Sequence, residues 1–119
     1  MSSDKKRELR FYKDYFKDFF DEQSSKAQKK ILWTLRLIEE LSRVPEIFLK
    51  HLEGTHGLYE IRVQIGSDTY RIFCFFDDNK IVVVGHGFQK KTQKTPEWEI
   101  EKAEKIKREY YAEKKLNRP

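Results

Sequence analysis

The stretch from Leu58 to Lys91, LYEIRVQIGSDTYRIFCFFDDNKIVVVGHGFQKK, leaves the chain few choices of fold. Apolar and β-branched residues run in three short segments, broken by Gly66-Ser67 and by Asp77-Asp78-Asn79. That pattern predicts three antiparallel strands at about 58–65, 69–76 and 81–87. A two-residue loop with glycine first suits a tight hairpin turn, and loop length fixes register. With Gly66-Ser67 as the loop, Ile65 faces Asp68 and Arg62 lies directly opposite Arg71. With Asp78-Asn79 as the second loop, Arg71 lies opposite His86. The expected result is one row of Arg62, Arg71 and His86 across three strands. A loop longer by one residue breaks that row.

The same register sorts the rest of the segment. One face collects Ile61, Val63, Ile65, Ile72, Cys74, Phe76, Ile81 and Val83, and reads as core. The arginine face also carries Phe73, Phe75, Val82 and Val84, so half of it needs a cover. The segment Phe88, Gln89, Lys90, Lys91, Thr92, Gln93, Lys94 is expected to leave the third strand as a basic loop.

Two helices supply the covers. Residues 26–43 place Ala27, Ile31, Leu35, Ile38 and Leu41 on one stripe, with Ser24 or Ser25 before it as a cap and Pro45 as the stop. Thr95-Pro96 starts a second helix that runs to about residue 113, with Thr95 capping and Ile100, Ala103, Ile106 and Tyr110 as its stripe. Upstream, Leu9 and Phe11 alternate within a short strand at 7–12. Tyr15, Phe16, Phe19 and Phe20 then recur at helical spacing over 13–22. Residues 46–57 read as a connector with one helical turn, and residues 1–5 and 114–119 as frayed ends. The whole is one α+β domain over 1–119, with a small, mainly antiparallel sheet.

Charge points to the class of partner. The net charge is +5, and residues 88–119 hold ten Lys/Arg against six Glu. A basic end beside strand arginines suits an anionic partner. The lone cysteine, Cys74, lies in an apolar run and cannot form an internal disulfide. No secretory or membrane-spanning segment is legible, so the expected compartment is the cytoplasm. His51 and His56 have no partners at metal-ligand spacing, and no metal or cofactor is expected.

Opposed arginines are unfavourable unless each meets an anion. Glu60 or Glu53 would make a salt-bridged surface; an external phosphate would make a clamp, since arginine offers fixed bidentate donors. His86, flanked by Gly85 and Gly87, is either a structural histidine or a proton carrier. Lys90, Lys91 and Lys94 reach phosphates, and Phe88 and Tyr70 offer rings to RNA bases.

The order strand, two helices, three strands and C-terminal helix resembles the RelE/ParE toxin superfamily, most closely its HigB-like branch. The segments LYEIRV (58–63), TYRIFCFF (69–76), GHGFQKKTQKTP (85–96) and EIEKA (99–103) carry the resemblance. It implies a RelE-like fold and the toxin of a type II toxin–antitoxin pair. Such a toxin is a metal-independent, ribosome-dependent endoribonuclease that cuts mRNA. It implies a cognate helix-turn-helix antitoxin, HigA-like, as partner. By position, Arg62 matches a basic strand residue of the family's site and Arg71 the arginine that holds the scissile phosphate. Lys90 and Lys91 match the basic pair after the last strand, while Glu60 stands where many members carry a basic residue. Arg71, Arg62 and Lys91 are then the residues expected to stabilise the charge of the transition state, and His86 and Glu60 are the candidates for moving protons. The same fold also serves DNA gyrase inhibitors of the ParE type and members that only bind their partners, and these remain the alternatives.

Overall fold

The computed structural model describes residues 5–117. Of the ends expected to fray, 1–4 and 118–119 lie outside the described residues. Eight elements follow one another: β1 (Glu8–Phe11), α1 (Tyr15–Asp21), α2 (Ser25–Glu40), β2 (Leu49–His51), β3 (Leu58–Ile65), β4 (Asp68–Phe76), β5 (Ile81–Lys90) and α3 (Glu97–Leu116). They build one five-stranded sheet in the order β1-β5-β4-β3-β2, in which β1 alone runs parallel to its neighbour. This is the α+β arrangement of a RelE-like fold.

α2 forms where the stripe expects it. The Ser24 hydroxyl accepts from the Ala27 amide at 3.1 Å, which satisfies one of the four free N–H groups of the first turn. Ala27, Ile31, Leu35 and Ile38 are buried against the sheet, and Leu41 closes the helix as its C-cap. At that end Arg7 donates to the carbonyls of Ile38, Leu41 and Ser42 at 2.7–3.0 Å, so a residue before β1 caps α2. α1 and α2 cover one sheet face over Ile61, Val63, Ile72, Cys74, Val82 and Val84. α3 covers the other over Leu58, Phe73, Phe75 and Val83, through Ala103, Ile106 and Tyr110.

The α3 end is pinned by a polar network. The Arg10 guanidinium donates to the Tyr110 hydroxyl at 2.8 Å, which donates to Asp77 at 2.5 Å; Lys114 donates to the same carboxylate at 2.7 Å. Burial alone would raise the Asp77 pKa, but the bonds from Lys114 and Tyr110 hold it below the ordinary value.

Four expectations are corrected. The connector 46–57 contains β2, which pairs Leu49↔Ile61 to His51↔Tyr59; three residues are too short to show a period. Thr95 does not cap α3. Pro96 is the N-cap residue, no side chain caps the helix, and the Thr95 hydroxyl is directed to Glu60. α3 also continues past residue 113 to Leu116.

The fourth correction governs the site. The first hairpin has the expected register, Ile65↔Asp68 with Arg62↔Arg71, and Gly66 takes φ +58, which glycine adopts without steric cost. The second turn is one residue longer than a two-residue loop, since Phe76 pairs with Val82. A one-residue slip exchanges the faces, so Val82 and Val84 lie under α2 while Ile81 and Val83 lie under α3. β5 then bulges: Cys74 pairs with Val84 but Ile72 with Gly87, leaving Gly85 and His86 against Phe73. The extra residue reverses the exchange. Phe88 rather than His86 therefore faces Arg71, and β5 continues to Lys90 instead of leaving as a loop.

Candidate functional site

The row begins with Arg62 on β3 and Arg71 on β4, directly opposite each other. Glu60, two residues before Arg62, is 2% exposed and sits between them. Its Oε1 lies 3.5 Å from Arg71 Nε and 3.8 Å from Arg62 Nε, and its Oε2 accepts the Thr95 hydroxyl. Of the two carboxylates open at the sequence level, Glu60 is the one that meets the arginines. Both Nε atoms are buried, yet neither has a hydrogen-bond partner among the described residues. The guanidiniums' hydrogen bonds there are Arg71 Nη1 to the Tyr70 carbonyl at 3.1 Å and Arg62 Nη1 to the Glu46 carbonyl at 3.5 Å. Their donor capacity is largely unspent.

Lys90 completes the cluster from β5, opposite Thr69 and on the arginine face. Burial, then Arg71, lower its pKa, with Arg62 and Lys50 adding to the shift and Glu60 opposing it. Burial and Arg62 likewise lower the Arg71 pKa against the pull of Glu60. Three cations share one carboxylate, so the cluster is electrostatically short of anion.

The other expected residues are placed differently. Lys91 follows the end of β5, exposed, in a shallow cleft with Ser67, Asp68, Thr92 and Lys90. Lys94 is exposed in the loop before α3. The Phe88 ring stacks on Phe73 at 5.7 Å and is partly buried, and Tyr70 is buried on the opposite sheet face against Phe19 at 6.3 Å. Tyr70 is thus a core residue, not a free ring for a base. His86 is buried, its ring 4.9 Å from Phe73, and its Nε2 lies 2.9 Å from Glu99 Oε1 on the first turn of α3. Burial, with Lys102 adding, lowers its pKa to about 4, and burial raises that of Glu99. The enclosed imidazole ties the first turn of α3 to the sheet. The Gly85-His86-Gly87 spelling marks the bulge, and that is the signal by which the shift of the row to Phe88 and Lys90 was findable.

Beside Arg62 the sheet edge opens. β2 pairs with β3 only as far as Ile61, with one further bond from the Arg62 amide to the Phe48 carbonyl at 2.8 Å. Past that point a cleft of about 340 Å³ runs between Arg62, Arg71 and Gln64 on the sheet, Ile47 and Phe48 on the connector, and Lys30 on α2. Among the described residues no three His, Cys, Asp or Glu side chains gather as a metal site needs, and no helix is long and apolar enough to cross a membrane.

Fold and site together define a small α+β domain with a cationic, anion-seeking row at the open end of its sheet. Residues 18–108 match the family described as Phage derived protein Gp49-like (DUF891), and the chain belongs to that family. The family is a RelE/ParE-like toxin family of toxin–antitoxin modules, which implies an antitoxin as partner. No curated protein matches the chain.

Proposed function

We propose that this toxin belongs to the HigB-like branch and is a metal-independent, ribosome-dependent endoribonuclease acting on mRNA in the cytoplasm. One observation carries the reading: Arg62 faces Arg71, Lys90 stands on the same face, and a single buried carboxylate serves all three. A phosphate supplies the anion the cluster lacks, and arginine binds it bidentately.

RNA carries its own nucleophile. The 2′-oxygen forms a bond to the adjacent phosphorus, the bond to the 5′-oxygen breaks, and the ends are a 2′,3′-cyclic phosphate and a 5′-hydroxyl. Negative charge grows on the non-bridging oxygens on the way, and donors already aimed at that position stabilise the transition state more than the ground state. Arg71 and Arg62 take that role. Lys90, its ammonium weakened by burial and by Arg71, is the amine suited to exchange a proton with the 2′- or 5′-oxygen. His86, committed to Glu99, takes none. The exposed lysines at 91 and 94 and along α3 supply the salt-dependent contact with ribosomal RNA. The antitoxin of this reading is a helix-turn-helix protein.

The test is incubation with programmed ribosomes, mapping of the mRNA ends, and a parallel gyrase supercoiling assay. Ribosome-dependent cuts with 5′-hydroxyl ends, unaffected by a chelator, are expected. Gyrase inhibition without cuts would replace this reading with a ParE-like inhibitor. Antitoxin binding with neither effect would leave a non-catalytic binding protein.

A further inference from the structure

The cleft beside Arg62 has an apolar wall that the row itself does not use. Ile47 is 68% exposed and Trp33 45% exposed. Trp33, on α2, meets the Phe48 ring edge-on at 5.7 Å, and Lys30 Nζ lies 4.6 Å over the Trp33 ring. Ile47 and Phe48 line the cleft, whose other walls carry Lys30, Arg62 and Arg71. An apolar shelf is thus bordered on two sides by cations.

We propose that this shelf is a nucleobase subsite: it holds one unpaired base of single-stranded RNA, next to the phosphate bound by Arg62 and Arg71. The inference rests on the nuclease reading above and adds where the neighbouring nucleotide lies. A ligand that alternates negative charges with flat apolar planes matches the alternation of arginine, shelf and lysine. An acidic peptide offers carboxylates without such planes. Lys30 also lines the adjoining cleft with Lys26 and Lys29, so the strand has a cationic path along α2 as it leaves the shelf. Sequence-tolerant stacking of this kind is the means by which single strands are held on aromatic and apolar surfaces.

The experiment uses the full chain and fluorescence anisotropy with two probes. One is a short single-stranded RNA blocked against cleavage by 2′-O-methyl groups. The other is the same backbone with abasic sites. The wild-type protein is expected to favour the base-bearing probe by about tenfold. The double variant Ile47→Ser, Trp33→Ala is expected to lose that preference while still binding the abasic backbone with the wild-type salt dependence. Urea midpoints confirm that the variant folds, and Ile47→Ser alone, at the most exposed position, repeats the test should the double variant not fold. Equal affinity of the wild type for both probes, or a preference that survives the substitutions, overturns the subsite and leaves the nuclease reading standing. Failure of the wild type to bind either probe sinks the RNA reading itself, and the subsite with it. Polyglutamate serves as a competitor: displacement of the RNA by it from the wild type but not from the double variant would reassign the shelf to an acidic protein partner.

Discussion

Glu60→Gln is the most informative single change in this molecule. The carboxylate lies 3.5 Å from one guanidinium nitrogen and 3.8 Å from another. At an effective dielectric near 20, each contact has a gross attraction of about 4–5 kcal/mol. The net value is smaller, because the Arg62 side chain remains 27% exposed and water screens it, and because the carboxylate was itself desolvated. Glutamine keeps the shape and an acceptor for Thr95 but leaves the opposed arginines without an internal anion. A loss of about 2–3 kcal/mol in folding stability follows from removing one partner of such a cluster. For a chain of this size that is a fall in Tm of about 8–12 °C. The same change makes a bound phosphate more valuable. Affinity for a non-cleavable RNA should rise several-fold, with a salt slope steeper by about 0.7, the value of one further single-strand contact. Added RNA should then raise the Tm of the variant more than that of the wild type, since a ligand stabilises the state it binds. Thermal denaturation with and without RNA, and anisotropy across a salt series, read both effects. A variant as stable as the wild type, or one that binds RNA more weakly, would refute the view of Glu60 as an internal stand-in for phosphate.

Arg71→Ala should lower the rate of ribosome-dependent mRNA cleavage by about 10²–10³, the cost of one preorganised charge-stabilising donor, while antitoxin binding by titration calorimetry stays within twofold. Cleavage at the wild-type rate would remove Arg71 from the chemistry. Gly87→Ala places a Cβ 2.7–2.9 Å from the Phe19 ring, so urea denaturation should show a loss of about 1–3 kcal/mol; unchanged stability would mean that α1 moves freely over the bulge. His86 is held neutral with a folded pKa of about 4 against 6.5 ordinarily, so the unfolded chain binds the extra proton. Its contribution is full above pH 6.5 and falls as pH drops from 6.5 toward 4. His86→Asn should flatten the stability profile over that window, and parallel urea midpoints from pH 7 to 4 for both proteins would show if it does not.

Much of this structure is legible in the chain, and the parts that are not share a cause. The Ala27–Ile38 stripe and the Ser24 cap are local, and the Gly66-Ser67 loop fixes Arg62 against Arg71 because glycine makes a two-residue turn inexpensive. The second turn is not local in this sense. Asp77-Asp78-Asn79 signals a turn but not its length, and one residue decides which face every side chain of β5 takes. Lys90 joins the cluster and Lys91 does not because of that count and the bulge that offsets it. Tyr70 and Phe88 looked like free rings because sequence shows that a strand residue alternates, not what packs above it. The site's apolar wall was hidden for another reason: β2 is three residues long and Ile47-Phe48 precede it without any period.

These details also explain why the row is open at all. α3 lies over the same sheet face as the arginines, and its far end is tied to Asp77 through Tyr110 and Lys114. Its first turn reaches the sheet at Glu99 and His86, one residue pair short of Arg71 and Phe88. The helix therefore covers Leu58, Phe73, Phe75 and Val83 and stops where the charges begin. On the neighbouring edge β2 begins only at Leu49, and the Phe48 carbonyl before it receives the Arg62 amide. Two elements begin beside the row, and each leaves one group touching it: the Thr95 hydroxyl on Glu60 and the Phe48 carbonyl on Arg62. The cations are thus positioned by the sheet and bordered by the starts of α3 and β2 rather than covered by them. A long anionic strand can be laid across such a site, which is the geometry that the proposed cutting of an extended mRNA requires.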